Sequence, residues 1–286
     1  MPKPAEAPRR TSLPPLDPMR YEPTAARPIR GKARLMAHHM DILPHWHSWA
    51  QLVFSITGAV RVSAQGGAKG SGTDSSYIVP PSRAVWIPPG VVHAVTAVEE
   101  ADLRTLYLHE SAVTALSAEA DWSRCRVLDV TPLLRELVLQ LAVEPDAAPA
   151  NAADAAREQG ISTLILDELR RARSLQLGLP LPREGRLRRV CESMLEQPLR
   201  HADIEGWAAE AATSARTLSR WFSDELGTSY GQWRQQMLLA KALAMAARKQ
   251  PMRLIAAELG YASPSAFSAM VTRAVGMPPS RFFAEA

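Results

Sequence analysis

The C-terminal third of this chain carries the same helical pattern twice. Apolar residues spaced i, i+3, i+4 and i+7 predict one helix face at Ile204, Trp207, Ala208 and Ala211, and again at Met252, Ile255, Ala256 and Leu259. A second predicted helix follows each copy, and its apolar face holds Leu218, Trp221, Phe222 and Leu226, then Phe267, Met270, Val271 and Val275. Two such helix-turn-helix units predict a domain that enters two successive major grooves of double-stranded DNA.

Both second helices also carry signals for their ends. Each follows a serine cap and stops before a glycine suited to the left-handed conformation, at Ser214 and Gly227 and at Ser263 and Gly276. Pro264 adds a proline at the first helical position. A further helix from Ser229 to Ala247 joins the units, and its length of about 27 Å is comparable to the ~34 Å between successive major grooves.

The polar face beside each apolar one predicts how the unit contacts DNA. In the first copy this face carries Arg216, Thr217, Ser219, Arg220 and Ser223. Arginine suits bidentate hydrogen bonds to guanine, so we expect the first unit to supply most base discrimination, although a solvated helix face would have the same composition. The second copy has Ser265, Ser268, Ala269 and Thr272, which predicts mainly docking, with phosphate contacts from Arg253, Arg273 and Arg281.

Charge and cysteine content narrow the class of protein. The formal net charge is +4, and all of it lies in residues 183–286, which hold 14 Lys and Arg against 10 Asp and Glu. Cys125 and Cys191 form no CxxC motif, so neither a disulfide scaffold nor a zinc finger is expected. The proline-rich N-terminus lacks the apolar core of a secretory signal, and no long apolar stretch is present. These features predict a soluble, cytoplasmic protein with no membrane partner.

The first two regions of the chain predict a tail and a small barrel. Residues 1–30 are rich in proline and predict a disordered tail. Residues 31–110 hold short runs of Val, Ile, Thr and aromatic residues separated by Gly and Pro, which predict an all-β barrel or sandwich. Within it, Gln65–Ser76 is rich in Gly and Ser and predicts a flexible loop.

Residues 111–182 predict a helical linker and dimerisation region. Two apolar helices are expected at Leu128–Val143 and Asn151–Leu177, before a linker at Gly178–Gly185. An apolar stripe is usually ordinary core, but helices outside a closed barrel need a cover, and a homodimer interface is the natural candidate. The expected fold class is therefore multi-domain, with an all-β barrel, a helical linker/dimerisation region, and an all-α double helix-turn-helix DNA-binding domain over residues 183–286.

Residues 190–286 resemble the DNA-binding domain of the AraC/XylS family of bacterial transcription regulators. The resemblance is carried by WAAEAATSARTLSRWF at Trp207–Phe222 and by IAAELGYASPSAFSAMVTRAVGMPPSRFF at Ile255–Phe283. In the family, the second recognition helix often has a basic residue where this chain has Ala269, so the second half-site contact is expected to be weaker. The resemblance implies operator DNA, a small-molecule effector and RNA polymerase as partners.

Two further motifs resemble those of the cupin barrel, the usual N-terminal sensor of such regulators. They are His45-x-His47-x3-Gln51-x6-Gly58 and Pro88-x-Gly90-x2-His93. On an extended strand, residues 45, 47 and 51 share one face, so their side chains can point into the barrel together with His93. Three imidazoles suit Zn, Ni or Fe, with His45, His47, Gln51 and His93 as the candidate metal ligands.

Departures from the cupin motifs leave the contents of the pocket open. Gln51 stands where metal cupins usually have Glu, and Ser82 and Ala97 stand where the second motif has Gly and Asn. Effector-binding cupins of this family generally bind an organic ligand without metal, and a histidine cluster can simply hydrogen-bond it. The candidate ligand-binding residues are His45, His47, Gln51, His93, Trp49 and Trp86, with Trp46 at the pocket mouth, although aromatic residues on strands more often belong to the core.

The sequence therefore supports two alternative functions. The first is a sequence-specific transcription regulator, not an enzyme, whose DNA binding is modulated by a small molecule; PSRAVWIPPGVVH at residues 81–93 also resembles a subset that controls a neighbouring efflux transporter gene. The second is a metal-dependent cupin enzyme, a dioxygenase or isomerase, with a helical assembly tail. Stoichiometric iron and substrate turnover without specific DNA binding would support the second.

Overall fold

The computed structural model of the protein describes residues 11–15, 18–38, 40–66, 72–81, 83–116, 122–141, 149–175, 178–182 and 185–283. The strands in these residues are Thr11–Leu13 (β1), Ile29–Met36 (β2), Met40–His45 (β3), Ala50–Ser55 (β4), Val60–Gly66 (β5), Gly72–Val79 (β6), Arg83–Ile87 (β7), His93–Ala97 (β8), Ala101–Leu108 (β9), Arg126–Asp129 (β10), Ser174–Leu175 (β11) and Leu179–Leu181 (β12). A short 3-10 helix lies at Pro18–Tyr21.

The strands form two six-stranded sheets that enclose one apolar interior. Their orders are β1-β3-β8-β5-β6-β12 and β11-β10-β7-β4-β9-β2. Alternation along each strand directs Val53, Val85, Val95 and Leu103 into the shared interior, where all four are buried. The β4–β5 turn requires Gly58, because its φ is 70° and an added Cβ would lie 2.0 Å from the carbonyl oxygen of Glu100.

Three helices cover the outer face of the second sheet. They are Glu110–Leu116 (α1), Pro132–Gln140 (α2) and Ala152–Arg171 (α3). The outward residues of β4, β7 and β9 form one buried cluster with these helices, including Leu52, Trp86, Leu106, Leu134 and Ile165. Most of the apolar stripes of α2 and α3 are therefore covered within a single chain, whereas Leu133 on α2 and Leu164 on α3 stay exposed.

The C-terminal domain is helical and carries both predicted helix-turn-helix units. Its helices are Arg186–Glu196 (α4), Ile204–Glu210 (α5), Ala215–Leu226 (α6), Tyr230–Ala247 (α7), Met252–Glu258 (α8), Pro264–Val275 (α9) and Pro279–Phe282 (α10). Ser214 and Ser263 cap α6 and α9, accepting bonds from the backbone N–H groups of Thr217 and Ala266 at 3.1 and 3.2 Å. Gly227 and Gly276 end these helices with φ of 63° and 73°.

The C-terminal domain is docked on the barrel. Helix α7 lies against β6 and β12, and the indole N–H of Trp233 donates to the carbonyl oxygen of Pro180 at 2.7 Å. Two ion pairs cross the same interface, Arg188–Asp74 at 3.1 Å and Arg248–Glu99 at 2.8 Å. The histidine-bearing barrel and the helix that joins the two helix-turn-helix units are thus in direct contact.

Several barrel strands lie outside residues 31–110. Strand β1 falls in the predicted tail and pairs in parallel with β3, and β2 begins at Ile29. Within the predicted helical region, Leu128 lies in β10 and pairs with Ala84, so the helix expected from Leu128 begins only at Pro132. Strand β12 occupies part of the predicted linker and pairs with β6. These segments are strands because each completes an edge that the remaining strands leave open.

Two further expectations need correction at their ends. Helix α3 stops at Arg171, and Leu175 belongs to β11, which pairs with β10, so the helix does not run to Leu177. Gly66 and Gly72, inside the predicted Gln65–Ser76 loop, are paired residues of β5 and β6. Residues 67–71 and 1–10 of the predicted loop and tail lie outside the described residues.

Candidate functional site

Three histidines meet at one end of the barrel. His45 ends β3 and His93 begins β8, and the antiparallel register of these strands places the two opposite each other. The ring centres lie 4.4 Å apart for His45 and His93, 5.2 Å for His47 and His93, and 6.1 Å for His45 and His47. One ring nitrogen from each histidine lies within 4.8 Å of the others. The backbone N–H of Gly90, in the second motif, donates to the carbonyl oxygen of His47 at 2.9 Å and joins the two motifs.

Backbone carbonyl groups orient all three rings in the same way. The Nδ1 atoms of His45, His47 and His93 lie 2.9, 2.8 and 2.9 Å from the carbonyl oxygens of Leu43, Trp49 and Val91. A carbonyl oxygen only accepts, so each Nδ1 carries the proton and each Nε2 of a neutral ring keeps a free lone pair. His93 Nε2 is buried and has no hydrogen-bond partner among the residues that the structure describes.

Burial keeps the imidazoles neutral. It is the main cause that lowers the pKa of His45 and His47, and it lowers the pKa of His93 to about 3. His47 Nε2 also lies 2.6 Å from Gln51 Oε1. A neutral imidazole nitrogen without a proton can only accept a hydrogen bond. The Gln51 amide therefore places its N–H group, rather than its oxygen, against His47 Nε2. The cluster therefore offers lone pairs rather than acidic protons.

Aromatic residues form one wall beside the histidines. The Trp49 ring stacks on His47 with centres 5.2 Å apart and planes 6° apart, and Tyr107 contacts His47 at 5.2 Å. Tyr21 packs against Tyr107 at 6.5 Å. Such flat apolar surfaces suit a planar or apolar ligand body.

Lys32 was not anticipated as a residue of this site. Its side chain is buried at 7% exposure, and its ammonium group donates to the phenol oxygen of Tyr107. Burial, aided by the charge of Arg34, lowers the pKa of Lys32 to about 8. The signal in the sequence was the alternation Arg30, Lys32, Arg34, which places three cations on one face of β2.

Trp86 faces away from the histidine cluster. Trp86 is opposite Leu52 in the β4–β7 pairing and faces the helices, where its indole N–H donates to the carbonyl oxygen of Trp122 at 2.9 Å. The prediction that Trp86 binds the ligand was therefore wrong. Its strand neighbours Val85 and Ile87 point into the barrel, and Trp86 between them points to the opposite side of the sheet. Trp46 lies between His45 and His47 in the chain but is 63% exposed.

The predicted DNA-contacting faces are on the outside of the C-terminal domain. On α6, Leu218 and Phe222 are fully buried, whereas Arg216, Ser219, Arg220 and Ser223 are exposed and Thr217 is half-buried. Arg216 makes no hydrogen bond or ion pair with the described residues, and Arg220 lies 4.0 Å from Asp224. Asp224, also exposed, was not singled out from the sequence although it lies one turn after Arg220.

The second unit presents a less charged surface. On α9, Ser265, Ala269, Thr272 and Arg273 are exposed and Ser268 is half-buried, while Phe267 and Val271 are buried. Arg253 and Arg281, the other predicted phosphate contacts, are exposed on α8 and α10. Among the residues that the structure describes, no helix combines the length and apolarity needed to cross a membrane.

Two family profiles match the chain, and they divide it as the fold does. The profile of the AraC-like ligand binding domain matches residues 28–165, and that of a helix-turn-helix domain matches residues 207–285. The crystal structure of ToxT from Vibrio cholerae O395 aligns with a TM-score of 0.36 and 12% identity over 90% of this chain and 97% of that one.

Curated relatives are named as transcription regulators. The HTH-type transcriptional regulator NimR of Escherichia coli is 32% identical over 240 residues, which span 84% of this chain and 81% of NimR. The HTH-type transcriptional regulator RipA of Corynebacterium glutamicum is 29% identical over 103 residues, 36% of this chain and 31% of RipA. The chain belongs to the AraC/XylS family of transcription regulators, with an AraC-like, cupin-like ligand-binding domain and a helix-turn-helix DNA-binding domain.

Proposed function

We propose that a small molecule bound beside the histidine cluster changes how strongly this regulator binds its operator. The observation that carries the proposal is the attachment of the DNA-reading domain to the same barrel that holds His45, His47 and His93. Helix α7 touches the barrel through Trp233 and connects the two helix-turn-helix units. A ligand that favours one arrangement of barrel and α7 changes DNA affinity by the free energy that couples the two sites.

The operator contacts proposed are those of the two exposed polar faces. On α6, Arg216 and Arg220 read bases, while Thr217, Ser219 and Ser223 contribute hydroxyl contacts. Helix α9 docks on the second groove through Ser265, Ser268, Thr272 and Arg273, the last on phosphate. The division follows from the charge difference between the faces, since both carry similar caps and buried cores.

The donor set in the barrel fits a divalent transition metal. His45, His47 and His93 would hold it through their Nε2 atoms, and Gln51 is the candidate fourth ligand. The orphaned, buried Nε2 of His93 supports this fit, as do the three carbonyl groups that fix the ring orientations. When bound, Zn, Ni or Fe would supply a Lewis-acidic position to which an effector can bind.

The domain roles proposed follow the four predicted regions, with the barrel as sensor and the last domain as DNA reader. The helical region is proposed as the homodimer interface, through Leu133 on α2 and Leu164 on α3, which are 51% and 49% exposed. Contact with RNA polymerase and control of a neighbouring efflux transporter gene remain predictions from the family resemblance, and a cytoplasmic location remains a prediction from the cysteine content.

Selection of bound sequences from a random DNA pool, repeated with candidate ligands, tests this function. We expect a two-part motif in which the part bound by the first unit has the higher information content. Metal analysis and an oxygenase assay on the same preparation address the alternative, a cupin enzyme, which the three-histidine set alone would allow. Turnover with stoichiometric iron and no enriched DNA motif would refute the regulator.

A further inference from the structure

A buried positive charge lies beside the histidine cluster. The Lys32 ammonium lies 4.9 Å from the Tyr107 ring centre and 5.6 Å from that of Tyr21, in addition to its hydrogen bond to Tyr107. Because the pKa of Lys32 is about 8, its ammonium group is mostly charged at neutral pH. Tyr107 accepts one of the three ammonium N–H groups, and two donors are left for a ligand.

No described carboxylate balances this charge. Lys32 acts on all three histidines, since its charge contributes to lowering the pKa of His45, His47 and His93. The groups that shift the pKa values of these four residues include only imidazoles, cations and hydrogen-bonding neighbours among the described residues. A buried ammonium group without an opposite charge is unfavourable, because transfer from water is not repaid by attraction.

The candidate metal ligands make the imbalance larger. Three neutral imidazoles and the neutral amide of Gln51 add no negative charge to a divalent cation. A metal-loaded site would therefore hold two charges from the metal and one from Lys32, with no carboxylate of the described residues to offset them. Among the residues that the structure describes, none supplies the missing negative charge in either state, so a bound ligand is a natural source of it.

We propose that the effector carries an anionic oxygen group, such as a carboxylate, which binds Lys32 and supplies this charge. The proposal rests on the effector role of the pocket proposed above. The remainder of the effector is apolar or aromatic, because Trp49, Tyr21 and Tyr107 form the neighbouring wall. Lys32 thus selects carboxylates over neutral molecules of the same shape.

Matched pairs of probes test the proposal directly. Binding of benzoate and benzamide, and of acetate and acetamide, is measured by calorimetry on the full-length protein, both metal-free and loaded with Zn. In each pair the shapes are nearly the same and only the charge differs. We expect the carboxylate to bind about 10- to 100-fold more tightly than the amide in at least one pair, the range for a charge-assisted hydrogen bond.

Three variants assign the preference to the charge of Lys32. Lys32→Met is expected to abolish it, and Lys32→Arg to retain it, because arginine keeps the positive charge. Gln51→Glu is expected to reduce it at least about tenfold by supplying an internal carboxylate that competes with the ligand. The control is Lys249→Met, which removes an exposed lysine of the C-terminal domain and leaves the preference unchanged.

The proposal fails if no carboxylate is preferred over its amide in the wild-type protein, or if Lys32→Met keeps the preference. If Lys32→Met does not fold, the other two variants test the proposal. Loss of the carboxylate preference in Lys32→Arg, or full retention of that preference in Gln51→Glu, also overturns it. Operator binding is measured on the same samples without ligand. Absence of specific DNA binding would refute the proposed function, while the carboxylate comparison tests only the effector class.

Discussion

The first helix-turn-helix unit is expected to carry the sequence specificity through two arginines. Arg216→Ala and Arg220→Ala should each weaken operator binding by about 1 to 3 kcal/mol, roughly fivefold to 150-fold, if the guanidinium makes bidentate bonds to guanine. The loss should be confined to operators that keep the contacted guanine, and each variant should tolerate substitution of that one base pair.

The structure predicts that neither substitution affects folding. Arg216 has no partner among the described residues, and the Arg220–Asp224 pair is 4.0 Å long with side chains 69% and 67% exposed. Such an exposed i, i+4 pair contributes about 0 to 0.5 kcal/mol, so the free energy of unfolding should change by less than the loss in binding. Urea denaturation of both variants provides this comparison.

Fluorescence anisotropy with the selected operator and its single-base variants measures the effect. Arg281→Ala is the matched control, because Arg281 is exposed on α10 and is predicted to contact phosphate. It should weaken all sequences equally and reduce the salt dependence by about one ion. Uniform weakening by Arg216→Ala and Arg220→Ala, without relaxed specificity at any base, would refute base contact by α6.

Three further outcomes are expected. Trp86→Phe should lower the free energy of unfolding by about 1 to 3 kcal/mol, because the Trp122 carbonyl loses its donor, and should leave ligand binding unchanged; weaker ligand binding without loss of stability would contradict the outward position of Trp86. Asp224→Asn should raise DNA affinity roughly twofold to fivefold at low salt by removing a negative charge near phosphate, and an unchanged anisotropy titration would argue against this approach of α6. Lys241, at the domain interface, has its pKa lowered to about 8 from 10.5 by burial and by Arg61, so the unfolded chain binds more protons at this group between these values and Lys241 contributes a rise in stability with pH across that window. Lys241→Met should make the slope of stability against pH less positive in thermal melts recorded from pH 8 to 10.5, while Lys32, whose pKa is also lowered to about 8, keeps its own contribution; an equal slope in both proteins would exclude Lys241 as a source.

The C-terminal domain was predictable because its signals are local. Serine caps, glycine stops and the helical spacing lie within a dozen residues of the positions they define, and α6, α7 and α9 occupy the expected segments. The barrel depended on pairing between distant segments. Strand β10 pairs with β7 and β12 with β6, and nothing within these short strands indicates those partners.

The same distinction between local signals and long-range pairing applies to the residues of the histidine site. His45, His47 and His93 were expected together because the spacing of two motifs defines them, and the structure brings them together. Trp86 was misplaced because its side of the sheet follows from the register Leu52–Trp86, which the sequence does not reveal. Lys32 was missed because an alternating basic strand is more often a solvated face, and only closure of the barrel shows that this face is internal.

Strand β12 has a consequence for how far the DNA-reading domain can travel. Leu179–Leu181 is hydrogen-bonded into the barrel and α4 begins at Arg186, so residues 182–185 connect the two units in the sequence. Five Cα-to-Cα steps reach at most about 18 Å when fully extended. This short connection permits the C-terminal domain to rotate close to the barrel. Any larger movement first requires the hydrogen bonds between β12 and β6 to break.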